Sequence, residues 1–136
     1  MLPNRSMPSC AIVPVLQSPD VPRAVDWLCG ALGFTVRLQI ADHRAQLKLG
    51  DGCVIVTTRD RSDRPCTCSV MVRVDGADRH YESALAFGAR PVSIPTDYPY
   101  GERQYTVADF AGHVWAFSQS IADVTPEDWG GIVGEL

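Results

Sequence analysis

The sequence has no long apolar run and no cluster of basic residues. No apolar stretch reaches the roughly 18 residues that a membrane-spanning helix needs, and the first ten residues lack the apolar segment of a signal peptide. The 136 residues include 12 Lys and Arg against 16 Asp and Glu, a net charge of −4. The composition therefore predicts a cytoplasmic protein that binds neither membranes nor nucleic acid.

Cysteine does not occur in a metal-binding or disulfide-forming pattern. The count is odd, and a chain of this length does not need disulfides to stabilise its core. Cys66-Thr67-Cys68 is C-x-C rather than C-x-x-C, with no second half elsewhere. We therefore expect reduced structural thiols at every cysteine: Cys10, Cys29, Cys53, Cys66 and Cys68.

The pattern that is present is that of an α+β domain whose elements occur twice. Asp20 lies 13 residues before Gly33, and Asp75 lies 13 residues before Gly88, so each predicted helix follows an Asp and ends at a Gly. We predict a single domain of two βαβββ units with a loose arm at 1–8, a linker at 59–65 and a tail at 120–136. The halves span about 10–58 and 66–119. Predicted helices lie at 21–32 and 77–87, and predicted strands at 11–16, 34–40, 45–49, 53–57, 68–74, 90–94, 103–109 and 114–118.

The stretch YPYGERQYTVADFAGHVWAFSQ, residues 98–119, carries a more specific motif. Its motif resembles the last hairpin of the vicinal oxygen chelate superfamily: G-x-R, then a strand, then D-x-x-G-[HN]-x-W-x-[FL]. That superfamily includes glyoxalases, extradiol dioxygenases, fosfomycin-modifying enzymes and bleomycin-resistance proteins. Phe110 stands where members usually have proline. The tripeptides LGF at 32–34 and FGA at 87–89 are also common in the superfamily.

The resemblance implies a homodimer in which the two units form a curved mixed sheet around a cavity. It also implies metal-ligand positions at Val13, Val56, Ser69 and Ala116, on the first and last strands of each half. None of the four is His, Asp or Glu. No His-x-His or His-x-Glu pair supplies a substitute site, so we expect no metal and no other cofactor.

The segment TDYPYGER, residues 96–103, holds the candidate ligand-binding side chains and is predicted to be an irregular loop. Tyr98 and Tyr100 are candidate stacking platforms, and Asp97 and Glu102 are candidate partners for cationic groups, with Arg103 beside them. The alternative is a solvated loop in which Arg103 pairs with a neighbouring acid. If Ala116 faces the cavity, its neighbours Trp115 and Phe117 belong to the core.

The absence of metal ligands resembles bleomycin-resistance-type proteins, which sequester a drug without chemistry. We therefore predict a protein that binds a small cationic or aromatic molecule. One alternative is a glyoxalase-like or dioxygenase-like enzyme with displaced metal ligands, or an enzyme that uses acid-base catalysis by Asp97, Glu102 or His113. Another is a structural or regulatory module that uses the same scaffold for protein contacts.

Overall fold

The computed structural model describes residues 3–59 and 69–134. They divide into two compact units, the first containing 3–59 and 110–113, the second 69–109 and 114–134. No helix among these residues is long and apolar enough to cross a membrane. The predictions for Cys66, Cys68 and most of the linker lie outside the described residues.

The first unit has the element order βαβββ. β1 (Val15–Ser18) leads into α1 (Val21–Leu32), and β2 (Thr35–Ile40), β3 (Arg44–Leu49) and β4 (Gly52–Thr58) follow. The sheet order is β1-β4-β3-β2, with β1 parallel to β4 and the other pairs antiparallel. The Asp20 side chain accepts a hydrogen bond from the Arg23 N–H and so starts α1, and Gly33 ends α1 with a φ of 80°.

The second unit repeats this order. It contains β5 (Ser69–Arg73), α2 (Ala77–Ala86), β6 (Arg90–Tyr98), β7 (Glu102–Ala108) and β8 (Val114–Ser120), followed by a short 3-10 helix, Pro126–Trp129. The sheet order is β5-β8-β7-β6, with β5 parallel to β8. The predicted α+β fold of two βαβββ units is confirmed, as are both helices.

The core of the second unit lies between its sheet and α2. Tyr105, Trp115 and Phe117 are fully buried, and the ring centroids of Tyr105 and Phe117 are 5.0 Å apart. His80, on α2, places its ring 4.4 Å from that of Phe117 and hydrogen-bonds the Tyr105 hydroxyl. The prediction that Trp115 and Phe117 belong to the core is therefore confirmed.

The first two strands differ from the sequence prediction. β1 begins at Val15 rather than at residue 11, because Pro14 has no N–H for the ladder and contributes only its carbonyl, which accepts from the Ile55 N–H at 2.9 Å. In β2 the register shifts between Val36 and Leu38, which makes Arg37 a bulge. The alternation in the sequence predicts that Phe34, Val36, Leu38 and Ile40 share one face of this strand. That prediction is wrong, because the bulge interrupts the alternation after Val36 and Val36 is exposed.

The prediction of an irregular loop at 96–103 is also wrong. β6 continues to Tyr98, and β7 begins at Glu102, so this segment is a regular hairpin with a tight turn at 99–101. β6 is an edge strand, where its prolines remove no ladder hydrogen bond that a neighbour needs. Gly101 closes the turn at a φ of 84°, and its N–H donates to the Tyr98 carbonyl at 3.1 Å.

Contact of His80 with Phe117 and Tyr105 is expected to make stability sensitive to acid. Burial lowers the pKa of His80 below its ordinary 6.5, so the unfolded chain binds the proton more readily than the folded protein does. The stabilisation by neutral His80 is complete above about pH 6.5 and declines as the pH falls from there toward the lowered pKa. We expect urea unfolding between pH 7.5 and 5 to show this decline, and His80→Gln to reduce it.

The control for that experiment is His43→Gln, since His43 lies exposed in the turn before β3. It should leave the pH dependence of the unfolding free energy unchanged. An equal pH dependence in wild type and His80→Gln would show that His80 is not the titrating group.

Candidate ligand-binding site

The face of the second sheet that points away from α2 is polar. Along β7, Tyr105 packs against Tyr81 and His80 of α2, so alternation places Glu102, Gln104 and Thr106 on the opposite side. Residues directly opposite each other on paired strands share a face, which extends this surface across the sheet. We call the part of this face nearest the 99–101 turn the open face: Met71, Arg73, Ser93, Thr96, Tyr98, Glu102, Gln104, Thr106, Ala116, Ser118 and Ser120.

A chain of hydrogen bonds fixes the polar groups of the open face. The Tyr100 hydroxyl donates to Gln104 Oε1 at 2.9 Å, and Gln104 Nε2 donates to Ser118 Oγ at 2.9 Å. The Ser118 hydroxyl in turn donates to Glu102 Oε1 at 2.7 Å. These side chains are therefore held in one arrangement before any ligand arrives, which lowers the entropy cost of binding.

Three aromatic side chains border one end of the open face. The rings of Tyr98 and Tyr100 are stacked, with centroids 5.4 Å apart and planes 9° apart. The ring of Trp129, from the 3-10 helix, has its centroid 5.4 Å from that of the Tyr100 ring, and the two ring planes are tilted by 58°. Tyr98 is 37% and Trp129 46% exposed, so this aromatic cluster still offers ring surface to a ligand.

Sequence analysis did not identify Trp129 as a site residue. The segment Thr125-Pro126-Glu127-Asp128 has the residues typical of a helix start and so indicates a short helix at this place. It does not indicate which part of the protein that helix contacts. The structure brings this helix to the hairpin turn through a backbone contact, since the Gly101 carbonyl accepts from the Ile121 N–H at 2.9 Å.

Glu102 supplies the negative charge of the open face. Hydrogen bonds from Ser118 and then Ser120, together with the nearby charge of Arg73, lower the pKa of the Glu102 carboxyl. Arg73 itself donates to Ser120 Oγ at 3.1 Å. Neither ion pair formed by the described residues involves Glu102, so its carboxylate is ionised without a cation in direct contact.

Asp97 and Arg103 lie on the other face of the hairpin. Arg103 Nε is 2.9 Å from Asp78 Oδ1 on α2, and Arg103 Nη1 is 2.9 Å from Asp97 Oδ1. The hydrogen bonds that Arg103 donates to Asp97 and then to Asp78 raise the pKa of Arg103. The structure thus brings Tyr98, Tyr100 and Glu102 together, whereas it pairs Arg103 with acids, as the alternative interpretation of this segment described.

Comparison with known sequences agrees with this architecture. The profile of the Glyoxalase/Bleomycin resistance protein/Dioxygenase superfamily matches residues 11–117. The chain belongs to this superfamily. The crystal structure of TioX from Micromonospora sp. ML1 is 34% identical, with a TM-score of 0.70 over 82% of this chain and 99% of that one. No curated protein matches the chain.

More distant structures of the superfamily share the fold. A glyoxalase/bleomycin resistance protein/dioxygenase family enzyme from Burkholderia phytofirmans PsJN is 15% identical, with a TM-score of 0.72 over 79% of this chain and 96% of that one. Lactoylglutathione lyase from Agrobacterium tumefaciens is also 15% identical, with a TM-score of 0.65 over 82% of this chain and 94% of that one. At these identities the likeness concerns the fold alone.

The metal-ligand positions of the superfamily carry no imidazole or carboxylate here. Ala116 lies on the open face, opposite Met71. The register shifts at the same place in both units, so that Leu38 pairs with Gln46 in the first unit as Ser93 pairs with Thr106 in the second. Gln46 therefore corresponds to Thr106, and its next partner, Ile55, corresponds to Ala116. The position assigned to Val56 therefore belongs to Ile55, one residue earlier.

The remaining candidate metal ligands are dispersed. His43 lies in a turn, His80 on α2 and His113 immediately before β8. Within residues 3–59 and 69–134, no group of three His, Cys, Asp or Glu side chains is placed to hold a metal ion. Cys10, Cys29 and Cys53 are free thiols.

Proposed function

We propose that this superfamily member binds a flat, cationic small molecule on the open face of its second sheet and releases it unchanged. The observation that carries the proposal is the stacked pair Tyr98 and Tyr100, with Trp129 beside it and the Glu102 carboxylate on the neighbouring strand. A planar ligand stacks on the aromatic cluster, and a cationic group on it faces the carboxylate.

The composition of the open face supports binding with specificity. Gln104 and Thr106 are partly exposed and offer amide and hydroxyl groups beside the aromatic cluster. Hydrogen bonds with Tyr100, Ser118 and Ser93 hold them in place, so a ligand meets both an apolar platform and fixed polar partners. The net charge of −4 favours the approach of a cation over that of an anion.

The runner-up function is catalysis, with displaced metal ligands or acid-base groups. The electrostatics of Glu102 argue against its use as a general base, since a carboxylate with a lowered pKa takes up a proton poorly near neutral pH. Asp97 is engaged with Arg103 on the other face. Binding without turnover, of the drug-sequestration type, therefore has the stronger support.

We also infer a homodimer without a metal or other cofactor, located in the cytoplasm. Superfamily membership favours the dimer. Edge strand β6 adds apolar surface for a partner chain, because Val92 is 59% and Ile94 66% exposed. Light scattering at tens of micromolar should give the mass of two chains, and the mass of one chain would refute this inference.

The charge preference of the site is testable with two probes of similar shape. We expect chelator-treated protein to bind proflavine, which is cationic at neutral pH, more tightly than acridine, its uncharged counterpart. Glu102→Gln should weaken proflavine binding about five-fold and leave acridine binding unchanged, because only the cation interacts with the lost charge. Isothermal titration calorimetry at low and high salt measures both affinities.

Asp97→Asn is the matched control for Glu102→Gln. It removes the same charge one strand away, but on the opposite face. If Asp97→Asn weakened proflavine binding as much as Glu102→Gln, the effect would come from net charge rather than from the open face. Equal binding of proflavine and acridine to wild type would remove the charge preference altogether.

A further inference from the structure

The N-terminal arm, residues 3–10, is bound to the first sheet rather than loose, so the prediction of a loose arm is wrong. Arg37 Nη2 donates to the Arg5 carbonyl and Gln46 Nε2 donates to the Ser6 carbonyl, each at 2.9 Å. At the far end of the arm, the Cys10 thiol donates to the Asp51 carbonyl at 3.3 Å. The arm is thereby held at both ends.

The arm covers the side of the first sheet that corresponds to the open face of the second. Gln46 pairs with Ile55, the counterpart of Ala116, in the same register in which Thr106 pairs with Ala116. The two units therefore present equivalent surfaces. In the second unit this surface carries the proposed ligand site, whereas in the first it holds a segment of the same chain.

Arg37 and Gln46 form a preorganised pair of donors. The bulge in β2 turns Arg37 toward Gln46, and Arg37 Nη1 donates to Gln46 Oε1 at 2.6 Å. Gln46 is only 3% exposed, so its amide group is fixed within the protein. One further donor atom of each side chain, Arg37 Nη2 and Gln46 Nε2, donates to one of two consecutive carbonyl oxygens.

On the arm, only backbone atoms take part in these two hydrogen bonds. Residues 4–7 form a turn in which the Met7 N–H donates to the Asn4 carbonyl at 3.1 Å and the Ser6 N–H donates to Asn4 Oδ1 at 3.0 Å. The turn presents the Arg5 and Ser6 carbonyls together. Because these hydrogen bonds use only backbone carbonyls of the arm, the same hydrogen bonds are open to another peptide with two adjacent carbonyl groups.

We infer that Arg37 and Gln46 form a peptide-binding site on the first sheet, which the arm occupies as an internal ligand. The ligand class is a short peptide, or peptide-like molecule, that presents two consecutive amide carbonyls. The site uses none of the residues of the open face. Its test is therefore independent of the proposed binding of a planar cation.

Trypsin cleavage of the Arg5–Ser6 bond in the full chain reports release of the arm. The carbonyl of this bond is the one that Arg37 holds, so the bound arm is protected. The probe is an acetylated, amidated heptapeptide, PNQSMPS, which follows residues 3–9 with glutamine in place of arginine and so resists trypsin. A tethered arm has an effective concentration in the millimolar range, so the probe is used up to about 10 mM.

We expect the heptapeptide to accelerate cleavage at Arg5 about five-fold, with cleavage at other sites as the internal reference. The matched control peptide carries methylene groups in place of the two carbonyls that Arg37 and Gln46 would bind, and it should have no effect. An equal effect of both peptides, or no effect of either, would overturn the inference. This comparison uses the wild-type chain and does not depend on the folding of a variant.

The variant Arg37→Met provides a second, independent test. It removes the donors and keeps a linear side chain, so cleavage at Arg5 should rise about ten-fold without peptide and no longer respond to it. Thermal unfolding confirms that the variant is folded. If folded Arg37→Met is cleaved at the wild-type rate, Arg37 does not hold the arm and the site does not exist.

Discussion

Gly101→Ala should lower the free energy of unfolding by about 2–4 kcal/mol, a large effect for one added methyl group. A Cβ at this position would lie 2.5 Å from the Ala122 carbonyl oxygen and 3.0 Å from Val124 Cγ2. The φ of 84° adds roughly 1–2 kcal/mol of strain for any residue with a Cβ. The nearest atom belongs to the backbone, so the clash is relieved only if the tail moves.

The same substitution should weaken the proposed ligand site. The Gly101 carbonyl accepts from the Ile121 and Ala122 N–H groups, and these bonds set the path of the tail that places Trp129 against Tyr100. Displacing the tail would therefore loosen the aromatic cluster. We expect the affinity for proflavine to fall together with stability.

Gly88→Ala is the control that separates strain from the clash. Gly88 has a φ of 90°, and a Cβ there would meet nothing within 4 Å. Urea unfolding should therefore show a loss of only about 1–2 kcal/mol for this variant. Equal losses for the two alanine variants would mean that the contact between the turn and the tail contributes nothing.

The repeated fold was predictable because its signals are local. The Asp20 cap and the Gly33 end of α1 act within one turn of the helix, and Gly88 follows α2 in the same way. The hairpin motif that joins β7 to β8 likewise lies within a few residues of Gly112, whose φ is 89°. These boundaries follow from the conformational preferences of single residues.

It was harder to predict to which face of the sheet each site residue points, because a bulge reverses the alternation of side chains along a strand. A shift of one residue moves a side chain to the opposite face, and β6 contains two register shifts before Asp97. Beyond these shifts the strand is regular, so plain alternation places Asp97 with Arg103 on the side of α2 and Tyr98 with Glu102 on the open face, whereas a segment predicted as a loop has no such alternation. The assignment of Val56 instead of Ile55 is an error of the same kind.

Two further features depend on contacts between distant parts of the chain. Trp129 reaches Tyr100 only because the tail crosses Gly101, and the arm meets Gln46 across some 40 residues of sequence. Neither contact leaves a periodic pattern in the sequence. The extension of β6 through its prolines likewise required the sheet order, which makes β6 an edge strand.

The double substitution Tyr98→Ala/Tyr100→Ala should weaken proflavine binding about thirty-fold. Each tyrosine offers a stacking contact of about 1 kcal/mol, and about 2 kcal/mol corresponds to this ratio of dissociation constants. The loss should be nearly the same for acridine, since stacking does not depend on the charge of the ligand. This separates the role of the tyrosines from that of Glu102.

Two further variants test whether a loss of affinity in the double variant comes from a change of the fold. Tyr98→Ala alone alters a partly exposed side chain and should retain the wild-type fold while losing about five-fold in affinity. Phe87→Ala removes an exposed aromatic ring at the end of α2, outside the open face. It should leave the affinity unchanged.

Calorimetric titration of chelator-treated wild type and the double variant with proflavine tests the central claim most directly. The proposed site predicts binding to wild type and about thirty-fold weaker binding to a double variant that still unfolds cooperatively. An affinity that is the same in both proteins, or the absence of binding to wild type, would contradict a ligand site at Tyr98 and Tyr100.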